Sequence, residues 1–142
     1  MTKAIRAAVI LCAALALTGC GGGGKKKTSS PGTFIVFFQP GTATLTPDSL
    51  ATLNTAARAA IKRSAPVAVV GHSDTFLSAE QSQALSNERA LAVAGRLLGY
   101  GIPEERVTYA ARGEQLPAVA TGDGVREPRN ERAEVIVVVN IR

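Results

Sequence analysis

Apolar residues along the chain fall into blocks of two different periods. Residues 33–38 (T-F-I-V-F-F), 67–70 (V-A-V-V), 107–111 (V-T-Y-A-A) and 133–141 (A-E-V-I-V-V-V-N-I) are short, β-branched or aromatic runs and predict four strands. Pro40-Gly41 stops the first of them, and Ile102-Pro103 introduces the third. Between the first two runs, Leu50, Leu53, Ala57, Ala60 and Ile61 recur at helical spacing behind Thr46-Pro47-Asp48. Thr46 suits the N-cap, Pro47 the first helical position and Asp48 the positive end of the helix dipole. Ser64-Ala65-Pro66 ends that helix. A second helical pattern covers residues 79–98, with Gly99 and Gly101 as stop signals. A Gly/Pro-rich connection, residues 113–129, leads to the last strand. The order predicts an α+β fold: a β-α-β-α-β-β layer sandwich with two helices on one face of a mixed sheet.

The first apolar block is of another kind. Lys3 and Arg6 precede an uninterrupted apolar run over residues 7–17, too short for the roughly 20 residues that span a bilayer. Its length and flanks are those of a signal-peptide h-region. It ends in Leu17-Thr18-Gly19-Cys20, the bacterial lipoprotein pattern of an aliphatic residue, two small residues and a cysteine. The thiol accepts a diacylglyceryl group, and small neighbours admit the peptidase. An ordinary secreted chain with a chance cysteine is the alternative. The expected organisation is a signal peptide over 1–19, lipidated Cys20 with a Gly/Lys-rich tether through residue 32, and a periplasmic domain over 33–142. Gly21 in place of Asp after the cysteine points to the outer membrane. The eleven residues G-G-G-G-K-K-K-T-S-S-P form a flexible coil with a typical span of about 18 Å.

Charge confirms the division. The whole chain carries +5, yet Lys3, Arg6, Lys25, Lys26 and Lys27 all precede residue 28. The remaining segment balances its acids and bases, so no basic patch for nucleic acid belongs to it. Cys12 and Cys20 both lie in the N-terminal region, which excludes a disulfide framework or a cysteine–histidine zinc site in the domain. No cofactor is implied. His72 is the one histidine, and a structural role bonding within its loop is expected. G-H-S-D-T lacks the last glycine of a nucleophile elbow and no second histidine exists to act as base, so hydrolysis is not supported.

Two opposite charges stand out. Asp74 follows the second strand, at the carboxyl end where layered α/β folds bind ligands. At about 100° per residue, Arg89 lies about 40° from Leu85, with Val93 and Leu97 further round the same stripe. Arg89 therefore projects from an apolar face, where an unpaired charge costs several kcal/mol. Three readings follow. Asp74 caps a turn while Arg89 snorkels to solvent. The two form an internal salt bridge. Or they bracket a zwitterion, Asp74 taking an ammonium and Arg89 a carboxylate.

Gly71-His72-Ser73-Asp74 is similar to the G-H-T-D of the OmpA-like C-terminal domain, the peptidoglycan-binding module shared by OmpA, Pal and MotB. Leu85-Ser86, Arg89-Ala90, Val93 and Leu97 follow its L-S-x-x-R-A-x-x-V-x-x-x-L pattern. Gly113-Glu114 with Pro117, and N-E-R-A-E-V from Asn130, resemble its G-E-x-x-P and N-R-R-V-E-I elements. The resemblance implies a non-enzymatic binding domain in which Asp74 and Arg89 hold the diaminopimelate of the peptidoglycan stem peptide, with Thr75 a weaker contact. It implies a Pal-like lipoprotein linking outer membrane to cell wall, with Tol-Pal-like or other envelope proteins as partners. Three positions depart from the pattern: Leu77 replaces a glycine, Ser82 an asparagine, and Glu131 the first arginine of N-R-R. They leave open a domain that keeps the fold for protein interaction and binds peptidoglycan weakly or not at all.

Overall fold

The computed structural model describes residues 32–138. The expected signal peptide, Cys20, all of the expected tether but residue 32, and residues 139–142, the end of the expected last strand included, lie outside the described residues.

Strand β1 (Gly32–Phe37) is followed by helix α1 (Pro47–Arg63), strand β2 (Val67–Gly71) and helix α2 (Ala79–Gly99). A single 3-10 turn (Glu104–Arg106) leads into β3 (Val107–Ala111), and β4 (Arg132–Val137) closes the domain. The sheet order is β1-β4-β2-β3. Helix α2 connects the parallel neighbours β2 and β3, while β4 slots antiparallel between β1 and β2. The mixed sheet with two helices agrees with the expected α+β layers.

Local chemistry accounts for the helix boundaries. The Thr46 hydroxyl accepts the Ser49 N–H at 3.2 Å, Pro47 opens α1, and Ser64 ends it in the left-handed conformation. At α2, Ser78 and Gln81 form a reciprocal capping box that satisfies two otherwise orphaned N–H groups. The layer between sheet and helices is filled from alternate strand positions. Val36, Val67, Val69, Ala133, Val135 and Val137 meet Leu53, Ala57 and Ala60 of α1 and Ala90, Val93 and Leu97 of α2. Small alanines on both helices let them sit close to a sheet faced mainly with valine.

Strand boundaries differ from expectation at several ends: β1 and β4 each begin one residue earlier, and β4 stops at Val137 rather than running on through residue 138. Phe38 lies beyond β1, where its N–H bonds the Glu131 carbonyl at 2.9 Å and its ring is buried. Strand β2 runs one residue further, to Gly71. A side chain at Gly71 is sterically excluded: a Cβ there stands 2.0 Å from the Ser86 carbonyl oxygen of α2. This close approach seats the start of the following loop on the helix.

Candidate functional site

The loop leaving β2 carries Asp74, and helix α2 carries Arg89 beneath it. The loop is pinned on several sides. The Ser73 N–H bonds the Gly113 carbonyl at 2.8 Å, and the Gly113 N–H bonds the Ser86 hydroxyl at 2.9 Å. Gly113 takes a positive φ of 54° with the backbone of Gln83 close against it, so a glycine is required there as well. Ser82, fully buried on α2, donates to the Asp74 carbonyl at 3.3 Å. Leu77 is not among the residues with positive φ, so this loop asks no special backbone of it.

Asp74 is 1 % exposed. Its Oδ1 accepts the Phe76 N–H and its Oδ2 the Glu127 N–H, each at 3.2 Å. It makes no salt bridge among the described residues. Thr75 is turned toward the 121–125 segment. Its hydroxyl donates to the Gly122 carbonyl at 2.6 Å and lies 3.0 Å from the Thr121 hydroxyl, while its carbonyl accepts the Gly124 N–H. That segment therefore lies across the mouth of the loop.

Arg89 is fully buried and does not snorkel. Its Nε donates to the Thr42 carbonyl at 2.8 Å, Nη1 to the His72 carbonyl at 2.9 Å, and Nη2 to the Gln39 carbonyl at 3.3 Å. The guanidinium carbon stands 5.1 Å from the centre of the Phe38 ring, a cation–π distance. Its ionic partner is Glu131, whose Oε2 contacts Nη1 with both side chains essentially inaccessible. Asp74 adds only a longer-range attraction. Burial draws the Arg89 pKa below its ordinary value, with Glu131 and then Asp74 opposing. Burial likewise raises the Glu131 pKa. Arg89 opposes that rise, and Asp74, within hydrogen-bonding reach of a protonated Glu131, adds to it.

Sequence spacing left three readings of Asp74 and Arg89 open, and none of them identified Glu131 as the partner of Arg89. The signal was present: Glu131 is the acid standing where the family motif has arginine. The register Gly71↔Ala133 between β2 and β4 then sets residue 131 beside the loop.

His72 differs from expectation. Its backbone serves the loop, its N–H bonding the Arg132 carbonyl at 2.9 Å. The buried ring lies instead 3.6 Å from Glu134 and has no aligned side-chain hydrogen bond. Burial, then Arg132, lowers its pKa. Of the surface grooves, one between β1 and the start of α1 is lined by Phe38, Ser49 and Thr52, and another by Phe37, Val119 and Glu134. Neither includes Asp74 or Arg89.

The sequence pattern described as "OmpA family" matches residues 37–131. A curated relative, an outer membrane protein of Gluconacetobacter diazotrophicus, is 30% identical over 112 residues, covering 74% of this chain. The chain spans 30% of that relative's length. Among solved structures, the OmpA-like domain of FopA1 from Francisella tularensis superposes with a TM-score of 0.69 at 21% identity, covering 78% of this chain and 73% of the other. The peptidoglycan-associated lipoprotein from Burkholderia pseudomallei superposes with a TM-score of 0.67 at 21% identity, over 72% of this chain and 88% of the other.

Proposed function

This chain belongs to the OmpA family, and from that premise we propose that it is an outer-membrane lipoprotein whose periplasmic domain binds peptidoglycan without covalent chemistry. In this reading Cys20 carries the lipid anchor. Asp74 and Arg89 form the site for the diaminopimelate of the stem peptide, Asp74 taking its amine and Arg89 holding the segments around it, with Thr75 a weaker contact in the same loop. The observation that supports it is the state of Asp74. Its carboxylate is buried just past the end of a central strand, each oxygen holds one backbone N–H, and among the described residues no cation forms a salt bridge with it. A carboxylate has about four lone-pair sites, so it can still accept a ligand ammonium. Access requires the 121–127 segment to lift from Thr75 and Asp74.

Co-sedimentation with purified peptidoglycan, with diaminopimelate as competitor, tests the contact. Asp74→Asn keeps the shape of the side chain and removes its charge. It is expected to abolish sedimentation while leaving the melting temperature within a few degrees of wild type. A folded Asp74→Asn chain that sediments in full removes Asp74 from the site. For the anchor, mass spectrometry should find acylated Cys20 in the wild type and none in Cys20→Ser; an unchanged membrane fraction for Cys20→Ser would count against it.

The contact between Arg89 and Glu131 favours a second reading, in which the fold serves protein interaction with Tol-Pal-like or other envelope partners. Failure of the wild-type chain to sediment would select it.

A further inference from the structure

Glu131 changes what the site can bind. Arg89 has five N–H groups, and the carbonyls of Gln39, Thr42 and His72 together with the Glu131 carboxylate engage four of them. A ligand carboxylate is held best by two parallel guanidinium N–H groups, and Arg89 no longer has such a pair to offer. The charge count points the same way. Asp74 and Glu131 together outnumber Arg89, so the ionised cluster is net negative and buried. Such a cluster repels an added carboxylate and attracts an ammonium. Asp74 keeps lone pairs on both oxygens, whereas the cationic half of the site is already occupied from within the chain.

We propose that Glu131 is a specificity-determining residue which makes this site select an amine whose adjacent carboxyl group is uncharged, an amide or ester, over a zwitterionic amino-acid centre. Glu131 stands in for the ligand carboxylate on Arg89, and the ligand supplies only the cation. In peptidoglycan this chemistry corresponds to a stem-peptide diamino acid blocked at the carboxyl beside its free amine. The proposal rests on the peptidoglycan reading for where the amine comes from. Burial, and after it Asp74, raises the Glu131 pKa against the pull of Arg89, so the selection depends on Glu131 staying ionised and weakens as pH falls.

The test titrates the full chain with meso-2,6-diaminopimelate and with its diamide, followed by backbone-amide NMR shifts at residues 74–76 and 122–127. The wild type is expected to bind the diamide at least tenfold more tightly. In Glu131→Gln the Arg89 fork meets a neutral partner, and the ratio should fall toward one or invert. Circular dichroism checks that this variant folds. If it does not, the wild-type ratio is measured from about pH 7 to about pH 4.5, where protonation of Glu131 should narrow it. Equal or tighter binding of diaminopimelate by the wild type overturns the proposal, as does a ratio unmoved by both the variant and pH. Binding of neither compound also overturns it. The peptidoglycan reading survives that last outcome if the wild type still sediments with peptidoglycan, and falls with it if sedimentation is lost.

Discussion

Arg89→Met is the perturbation that probes the centre of the site most directly. Methionine keeps an unbranched side chain on the α2 stripe but deletes the cation. Two costs follow. Glu131, 1 % exposed, loses its ionic partner, and the carbonyls of Gln39, Thr42 and His72 lose charge-assisted donors. Removing one partner of a buried ion pair costs about 3–5 kcal/mol because the other charge is left unmatched. Protonation of Glu131 recovers part of this, since its pKa is already raised. A loss of about 4 kcal/mol is expected at neutral pH, a large share of the roughly 5–15 kcal/mol that stabilises a domain. In urea, with a slope of about 2 kcal/mol per molar, the midpoint should drop by about 2 M. The same denaturation series supports two double-mutant cycles. Arg89→Met with Glu131→Gln should show a coupling of about 2 kcal/mol, and Arg89→Met with Asp74→Asn a coupling below about 1 kcal/mol. A single-variant loss under about 1 kcal/mol, or a larger coupling to Asp74 than to Glu131, would refute the assignment of Glu131 as the structural partner.

Three further outcomes follow from packing and titration. Gly71→Ala places a Cβ 2.0 Å from the Ser86 carbonyl oxygen, which only a backbone shift can relieve; a loss of about 3 kcal/mol in chemical denaturation is expected. Asn130, fully buried, clamps the 113–131 connection by accepting the Val119 N–H at 2.9 Å and donating to its carbonyl at 2.8 Å. Asn130→Ala should cost about 2 kcal/mol and raise amide exchange at Val119. His72 has a folded pKa lowered by burial and Arg132, with Arg112 acting the same way and Glu134 and the Gln115 backbone opposing. The unfolded chain then takes up a proton first as pH falls below about 6.5, so stability should decline from there down to the folded pKa. Glu131 acts with the opposite sign, its raised pKa making stability fall as pH rises above its unfolded value. The difference between wild-type and His72→Gln melting temperatures across about pH 5–7.5 isolates the histidine. A difference that does not change with pH would refute its role.

Much of the fold was legible because it is written in local chemistry. Thr46 and Pro47 start α1 by the same rules that identify them in the sequence, and the spacing from Leu85 to Leu97 fixes which face of α2 is buried. The insertion of β4 between β1 and β2 was not legible. Alternation and propensity predict a strand over residues 133–141, not which neighbours it chooses. Phe38 was read as strand because it is aromatic and follows a β-branched run, yet it turns inward to stack against Arg89 and bond the backbone of Glu131. The partner of Arg89 escaped for the same reason. Helical phasing shows that Arg89 needs an anion, but only the β2–β4 register shows that Glu131 is nearer to hand than Asp74.

The bonds of Arg89 also decide how the site must be dissected. Gln39 and Thr42 lie in the turn after β1, His72 ends the approach from β2, and Glu131 precedes β4. One guanidinium therefore ties together three chain segments that are distant in sequence, one of them the loop that carries Asp74. Loss of peptidoglycan binding in an Arg89 variant would report the collapse of that frame as readily as the loss of a ligand contact. Asp74 is different in kind. Its carboxylate holds only two backbone N–H groups at 3.2 Å, one of them from the segment that the proposed binding would have to displace. Removing its charge leaves the Arg89–Glu131 pair and the three carbonyl bonds in place. Under the proposed function, Asp74 is thus the residue at which binding separates from stability, and Glu131 the one through which affinity depends on ligand charge.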